Sequence, residues 1–195
     1  MPLNIDLFKI RTNNVLPRKG KILIAEPFLS GNYFNRSIVF LVEHGSEGTV
    51  GFILNKPVDF DVVGFNEEFP NFKERLYVGG PVNIESVYYI HTMGDLIPDS
   101  VEIMDGLFWG GDFDHLKDLI RSGFADNSKV RFFLGYSGWD NGQLDEELDE
   151  DSWLVADISP KIVMKANDEL WKEMVKQLGG KYSLWENFPE NPALN

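Results

Sequence analysis

Apolar positions along the chain change their period several times, and each change marks an element. Residues 21–25 (KILIA) and 37–43 (SIVFLVE) are dense in Ile, Leu, Val and Phe, side chains that favour a pleated, buried environment, and both predict strands. The run Ile38 to Val42 is continuous instead of alternating, which predicts a central strand covered on both faces. His44-Gly45-Ser46-Glu47-Gly48 follows, then a second apolar run over 49–54 that ends at Asn55-Lys56-Pro57, so this region predicts a β-hairpin. Residues 59–69 place Val62, Val63, Phe65 and Phe69 unevenly and predict one short helix stopped by Pro70. Strands are predicted over 76–78 and 87–91, on either side of Gly79-Gly80-Pro81, and over 101–103 and 107–109, around Asp105-Gly106.

From Asp112 the period lengthens. Phe113, Leu116, Leu119 and Ile120 recur at helical spacing, Asp112 can cap the free amides, and Gly123 can close the helix. Residues 129–134 return to strand, and Gly135 to Gly138 then predict a tight turn. A helix is predicted over 142–150, with Leu144 and Leu148 inward and acids outward. An extended piece broken by Pro160 follows over 153–164. Another helix has Asn167 as N-cap, an apolar stripe of Leu170, Trp171, Met174, Val175 and Leu178, and a stop at Gly179-Gly180. From about residue 182 the chain, with Trp185, Phe188, Pro189 and Pro192, predicts an irregular strap. Strands and helices alternate too irregularly for a wound parallel sheet, so the fold class is α+β, in one domain over 1–195 with no repeat or linker.

Charge alters this picture more than composition does. With 18 basic and 31 acidic residues the formal charge is −13, which repels phosphate backbones at long range. Generic nucleic-acid binding is therefore disfavoured; the compact basic cluster Arg18, Lys19 and Lys21 is too small to reverse it. The absence of cysteine removes disulfides, thiolate nucleophiles and cysteine-ligated metals. No apolar run is long enough for a signal peptide or a membrane span, so a cytoplasmic product is expected.

Candidate chemistry is sparse. Gly135-Tyr136-Ser137-Gly138-Trp139 invites comparison with the G-x-S-x-G elbow of hydrolases, but Trp139 stands where that elbow has glycine and no histidine follows Ser137. His44, His91 or His115 could reach Ser137 only through space. No histidine pair has metal-ligand spacing, the acidic run 145–151 lacks the glycine of a calcium loop, and Gly79-Gly80 lacks the lysine of a phosphate loop, so no metal and no cofactor is expected. The polar residues Arg36, His44, Asn55, Ser137 and Gln143 lie within apolar or turn-forming motifs. They are either a structural network or, if brought together, an anchor for an anionic or peptide-like ligand.

The same stretches carry a resemblance. Lys21 to Pro27, Phe34-Asn35-Arg36-Ser37-Ile38-Val39, Glu43-His44, Gly48 to Pro57, Val78-Gly79-Gly80-Pro81-Val82, and Gly135 to Trp139 with Gly142-Gln143-Leu144 closely resemble the YqgE/AlgH family of bacterial proteins, also called UPF0301 or DUF179. The spacing to Glu147-Leu148 and Trp153 agrees. Asp145 stands where Glu is usual, the acidic run is dense, and the tail from Asn187 looks like an extension of the Bacteroidetes kind. The resemblance implies a bifurcated, mostly antiparallel sheet curled into a pseudo-barrel with helices outside. It brings no catalytic residues, and the family label of transcriptional regulator specifies no DNA contact. The resulting expectation is a non-enzymatic cytoplasmic protein that meets a protein partner or small ligand around His44, Asn55, Ser137, Trp139 and Gln143, with Arg36 as a structural polar anchor. The alternative is a hydrolase-like enzyme acting on a small anionic or nucleotide-like substrate.

Overall fold

The computed structural model describes residues 11, 13–31, 33–59, 69 and 75–188. In chain order the strands are β1 (Ile22–Ala25), β2 (Ile38–Gly45), β3 (Gly48–Ile53), β4 (Tyr77–Val78), β5 (Val82–His91), β6 (Val101–Met104), β7 (Leu107–Trp109), β8 (Val130–Trp139) and β9 (Trp153–Ala156). The helices are α1 (Phe113–Arg121), α2 (Gln143–Asp149), α3 (Pro160–Met164) and α4 (Leu170–Leu178), followed by a 3-10 segment, Gly180–Asn187. The nine strands form one sheet, ordered β6-β7-β5-β8-β3-β2-β1-β9, with β4 pairing β8 off this path. Among the described residues only the β4–β8 pairing is parallel, which makes the fold α+β with a mostly antiparallel sheet.

Burial explains the continuous apolar run. In β2, Ile38, Phe40 and Val42 enter one core cluster while Val39 and Leu41 enter another, all five at 0% exposure. Each such side chain contributes about 1.5–3 kcal/mol of burial free energy. β1 and β9 divide the same way, with Ile22, Ile24, Leu154 and Ala156 on the first face and Leu23, Ala25, Trp153 and Val155 on the second. The first cluster also holds Ile90, Ile103, Leu107 and Phe133 from the other half of the sheet, together with Trp171, Met174 and Val175 of α4. Both halves thus curl over one shared core. α2 covers the second face through Leu144 and Leu148, and α1 covers the back of the other half through Leu116 and Ile120.

Among the described residues the sheet curls without closing into a barrel, and β6 and β9 are its ends. Side chains from the chain before β1 cover what the backbone leaves open. Lys19 donates to the Glu102 carbonyl of β6 at 2.9 Å. The Asn13 amide both donates to and accepts from the backbone of Val155 in β9, at 2.6 and 3.3 Å, as a neighbouring strand would. Such capping protects an edge from further pairing.

The bifurcation lies on β8. One edge of that strand pairs with β5, while the other pairs first with β4 at Phe133 and Leu134 and then with β3 at Ser137 to Trp139. The two double-glycine motifs meet here. A Cβ on Gly79 would lie 2.1 Å from the Gly135 carbonyl oxygen, and one on Gly80 would lie 2.3 Å from the Tyr136 carbonyl, so backbone passes backbone where no side chain fits.

Several expectations are corrected. Gly135 to Gly138 is strand, not turn: Phe133 and Tyr136 both reach the shared core, so the alternation of β8 slips by one residue across Gly135 (φ +67°). The span 153–164 is not extended throughout, because Pro160 opens α3, where its fixed φ and missing N–H suit a first helical turn. Asn167 is not the N-cap of α4, whose flanking residue is Glu169; its side chain instead accepts from the Glu169 N–H at 3.1 Å and donates to Glu173 at 2.8 Å. The hairpin turn is two residues, closed by Gly45 opposite Gly48. Asp112 does cap α1, accepting from the His115 N–H at 3.0 Å. The helix expected over 59–69 has its interior, 60–68, outside the described residues, as is the tail after Phe188.

Candidate functional site

Ser137 lies at the bifurcation, completely buried, and its hydroxyl donates to the Gly79 carbonyl at 3.0 Å. That bond joins the two glycine motifs. No described histidine bonds to it: His44 Nδ1 partners the Thr49 hydroxyl at 2.8 Å, His115 lies against Asp112, and His91 is bonded to Gly110. The expected grouping of His44 and Ser137 at one open rim does not form, because His44 sits exposed on the hairpin while Ser137 faces inward.

His91 is fully buried in β5. Its Nδ1 accepts from the Met93 N–H at 3.1 Å, and its Nε2–H is directed to the Gly110 carbonyl at 3.0 Å and to the Ser100 hydroxyl at 3.1 Å. This pattern requires the neutral ring. Burial pushes its pKa below the ordinary histidine value, outweighing the opposite effect of Gly110.

Trp139 and Gln143 converge on a residue that pattern reading did not single out as a site. Glu147 of α2 accepts from the indole N–H of Trp139 at 2.9 Å and of Trp153 at 2.7 Å through one oxygen, and from the Gln143 amide at 3.1 Å through the other. Gln143 also accepts from the Asp140 N–H at 3.0 Å. The group ties α2 to β8 and β9. Its signal in the sequence was the spacing from Trp139 and Gln143 to Glu147 and Trp153.

Arg36 and Asn55 do come together. Asn55, 5% exposed, accepts from the Ile38 N–H at 2.8 Å and donates to the Arg36 carbonyl at 2.9 Å, so it holds the entry to β2 against the exit of β3. Arg36, with φ +49°, donates to the Phe188 carbonyl and lies 5.0 Å over the Trp171 ring. The 3-10 strap is thereby fastened to the core, and Phe188 also stacks on Phe28 with ring centroids 5.4 Å apart. A small recess of about 170 Å³ opens beside this pair.

Of the larger recesses among the described residues, two lie toward opposite ends of β8. Near its C-terminal end, Tyr136, Gly138 and Asp140, spaced two apart, line a recess of about 280 Å³ with Val82, Glu43 and Glu47, and Trp139 borders it. Near its N-terminal end, a recess of about 570 Å³ lies between α3 and the 127–128 turn. Below α3, Arg131 of β8 is 1% exposed and donates to the Val163 carbonyl at 2.6 Å and the Leu54 carbonyl at 2.8 Å. The sequence reading missed Arg131, although a lone cation inside VRFFL is itself a sign of buried carbonyl acceptors. Among the described residues no helix is long and apolar enough to cross a membrane.

Comparison with known proteins agrees with this architecture. The chain is 47% identical to a UPF0301 protein of Parabacteroides distasonis over 97% of its own length and 98% of that protein, and 43% identical to one of Bacteroides thetaiotaomicron over the full length of both. Among solved structures, protein DIP2367 of Corynebacterium diphtheriae superimposes with a TM-score of 0.71 at 26% identity, covering 93% of this chain and 97% of that one. The AlgH protein of Pseudomonas aeruginosa superimposes with a TM-score of 0.68 at 27% identity, covering 88% and 94%. The AlgH-like profile, DUF179, spans residues 22–183, from β1 into the strap. With that span, these relatives and the shared fold, the chain belongs to the AlgH-like UPF0301 family.

Proposed function

We propose that this protein is a cytoplasmic binding module, not an enzyme, and that it docks a positively charged segment of a protein partner in the recess at the C-terminal end of β8. One observation carries the reading. At the end of β8 Ser137 is buried on the Gly79 carbonyl, while half-buried Tyr136, packed on the shared core, and exposed Gly138 and Asp140 line the recess beside Glu43 and Glu47. The residue with nucleophilic chemistry thus holds the fold, and the surface next to it carries acids and an aromatic wall. Tyr136 and Val82 supply apolar contact area, while Glu43, Glu47 and Asp140 attract and orient cationic side chains. His44 stands on the same hairpin and Trp139 on the border. Any effect on transcription passes through such a partner, since the charge of −13 opposes contact with duplex DNA.

Fluorescence anisotropy with Lys/Arg-rich and Asp/Glu-rich peptides tests this. The basic peptides should bind, more weakly as salt rises, and should lose affinity in a Glu43→Gln, Glu47→Gln double variant. Labelling of Ser137 by a fluorophosphonate, abolished in Ser137→Ala, would replace this reading with the hydrolase. Retardation of generic duplex DNA at physiological salt would replace it with direct contact.

A further inference from the structure

We infer that the recess between α3 and the 127–128 turn binds a phosphate-bearing small molecule. The reading is independent of the acidic recess and of any partner there. The recess, about 570 Å³ and widely open to solvent, has room for a small molecule. Lys161 and Lys165, four residues apart, face it from α3 and the residue just after it. Neither has a carboxylate partner among the described residues, in a chain where acids outnumber bases 31 to 18. Along α1 and α4, by contrast, Lys117 pairs with Asp114 and Lys172 with Glu169. Among the described residues no acid lines the recess.

The remaining lining fits the same ligand. Thr92 and Asn127 bring a hydroxyl and a side-chain amide, donors for the oxygens that two point charges leave unsatisfied. Met164 offers a polarisable apolar wall for the organic group that carries the phosphate. Ser128 also lines the recess, but its N–H and hydroxyl donate to Asp126 at 2.9 and 2.6 Å, and these bonds draw the Asp126 carboxyl below the usual carboxylate range. Asp126 is thereby held by the turn and does not line the recess. The support is rigid: Arg131 reaches up from β8 to the carbonyls of Val163 and Lys165 at 2.6 and 3.4 Å, fixing the end of α3 from which the lysines project. Such a site is compatible with the overall charge. A small anion meets the local field within about 8 Å at physiological salt, whereas a long polyanion must face the acidic surface as well.

Titration of the full chain followed by ¹⁵N–¹H spectra, with inorganic phosphate, a nucleoside monophosphate and the uncharged nucleoside, tests the inference. Both phosphates should shift the amides of Thr92, Ser128, Lys161, Lys165 and Ala166. A tighter complex with the monophosphate assigns the site to an organic phosphate, and equal affinities assign it to the phosphate group alone. Lys161→Gln with Lys165→Gln should weaken binding about tenfold or more, while Lys176→Gln, on exposed α4 surface, should leave it unchanged. Absence of local shifts up to millimolar phosphate at low salt would overturn the inference. So would equal shifts with the uncharged nucleoside, or unchanged affinity in a double variant whose spectrum shows it folded.

Discussion

The two ends of β8 differ in what the strand holds inside and what it shows outside. At the N-terminal end a buried cation, Arg131, anchors α3 through main-chain carbonyls, and the recess above carries Lys161 and Lys165. At the C-terminal end a carboxylate, Glu147, gathers two indole N–H groups, and the recess nearby carries Glu43, Glu47 and Asp140. Ten residues of strand, about 33 Å of chain, separate surfaces of opposite sign. The difference teaches that an average charge of −13 describes neither surface.

The largest effect should come from breaking what both ends share. Gly79→Ala places a methyl 2.1 Å from the Gly135 carbonyl oxygen, where only backbone can give way, and should destabilise the protein by about 3 kcal/mol or more, or prevent folding. Urea unfolding monitored by circular dichroism measures it; a midpoint like wild type would mean that the branch is not tightly packed.

Separating the ends comes next. Arg131→Leu leaves buried carbonyls of Val163 and Leu54 without their donor and should cost about 3 kcal/mol. Glu147→Ala removes one acceptor from two indoles at a less buried site and should cost about 2 kcal/mol, with altered tryptophan fluorescence. Equal losses would remove the contrast between a fully buried anchor and a partly buried one.

The pH dependence sharpens the N-terminal side, where His91 of β5 pairs in register with Val130 of β8. Its pKa in the folded protein lies below the ordinary 6.5, so as pH falls the unfolded chain takes up the proton first. The stability held by the neutral ring is therefore fully present above about pH 6.5 and declines below it, until the folded ring is itself protonated. His91→Gln should flatten the fall in Tm between pH 7 and pH 5.5, and a slope identical to wild type would show that other groups govern it.

The smallest effects should be on the surfaces themselves. Glu43→Gln with Glu47→Gln, and Lys161→Gln with Lys165→Gln, should each shift stability by no more than about 0.5 kcal/mol, because these are solvent-facing side chains without buried partners. A loss of more than about 2 kcal/mol in either pair would make that surface part of the fold instead of a place to bind.

Local pattern made most elements legible. The continuous run Ile38 to Val42 announced a strand buried on both faces, the hairpin and α1 with its Asp112 cap followed from neighbouring residues, and the motifs in order indicated the family. Each of these depends on interactions within a few residues or on a period that the sequence displays directly. The site was far less legible. Ser137 looked exposed because its glycines suggested a turn, yet Gly135 serves a close crossing with Gly79, 56 residues away. Asn55 and Arg36 meet because β2 and β3 pair, and Glu147 finds two indoles because α2 folds back over β8 and β9. Ser159-Pro160 is a local helix-start signal that the expectation of a broken extended piece overlooked, and the helix it opens set the position of Lys161 and Lys165. The sequence by itself determined the α+β class, the cores of most strands and the net charge, which are sums over local terms. Only the tertiary structure decided which glycines allow close approach, which polar groups are spent on buried partners and which charges face one another across a recess, because those depend on contacts between distant residues that no local period encodes.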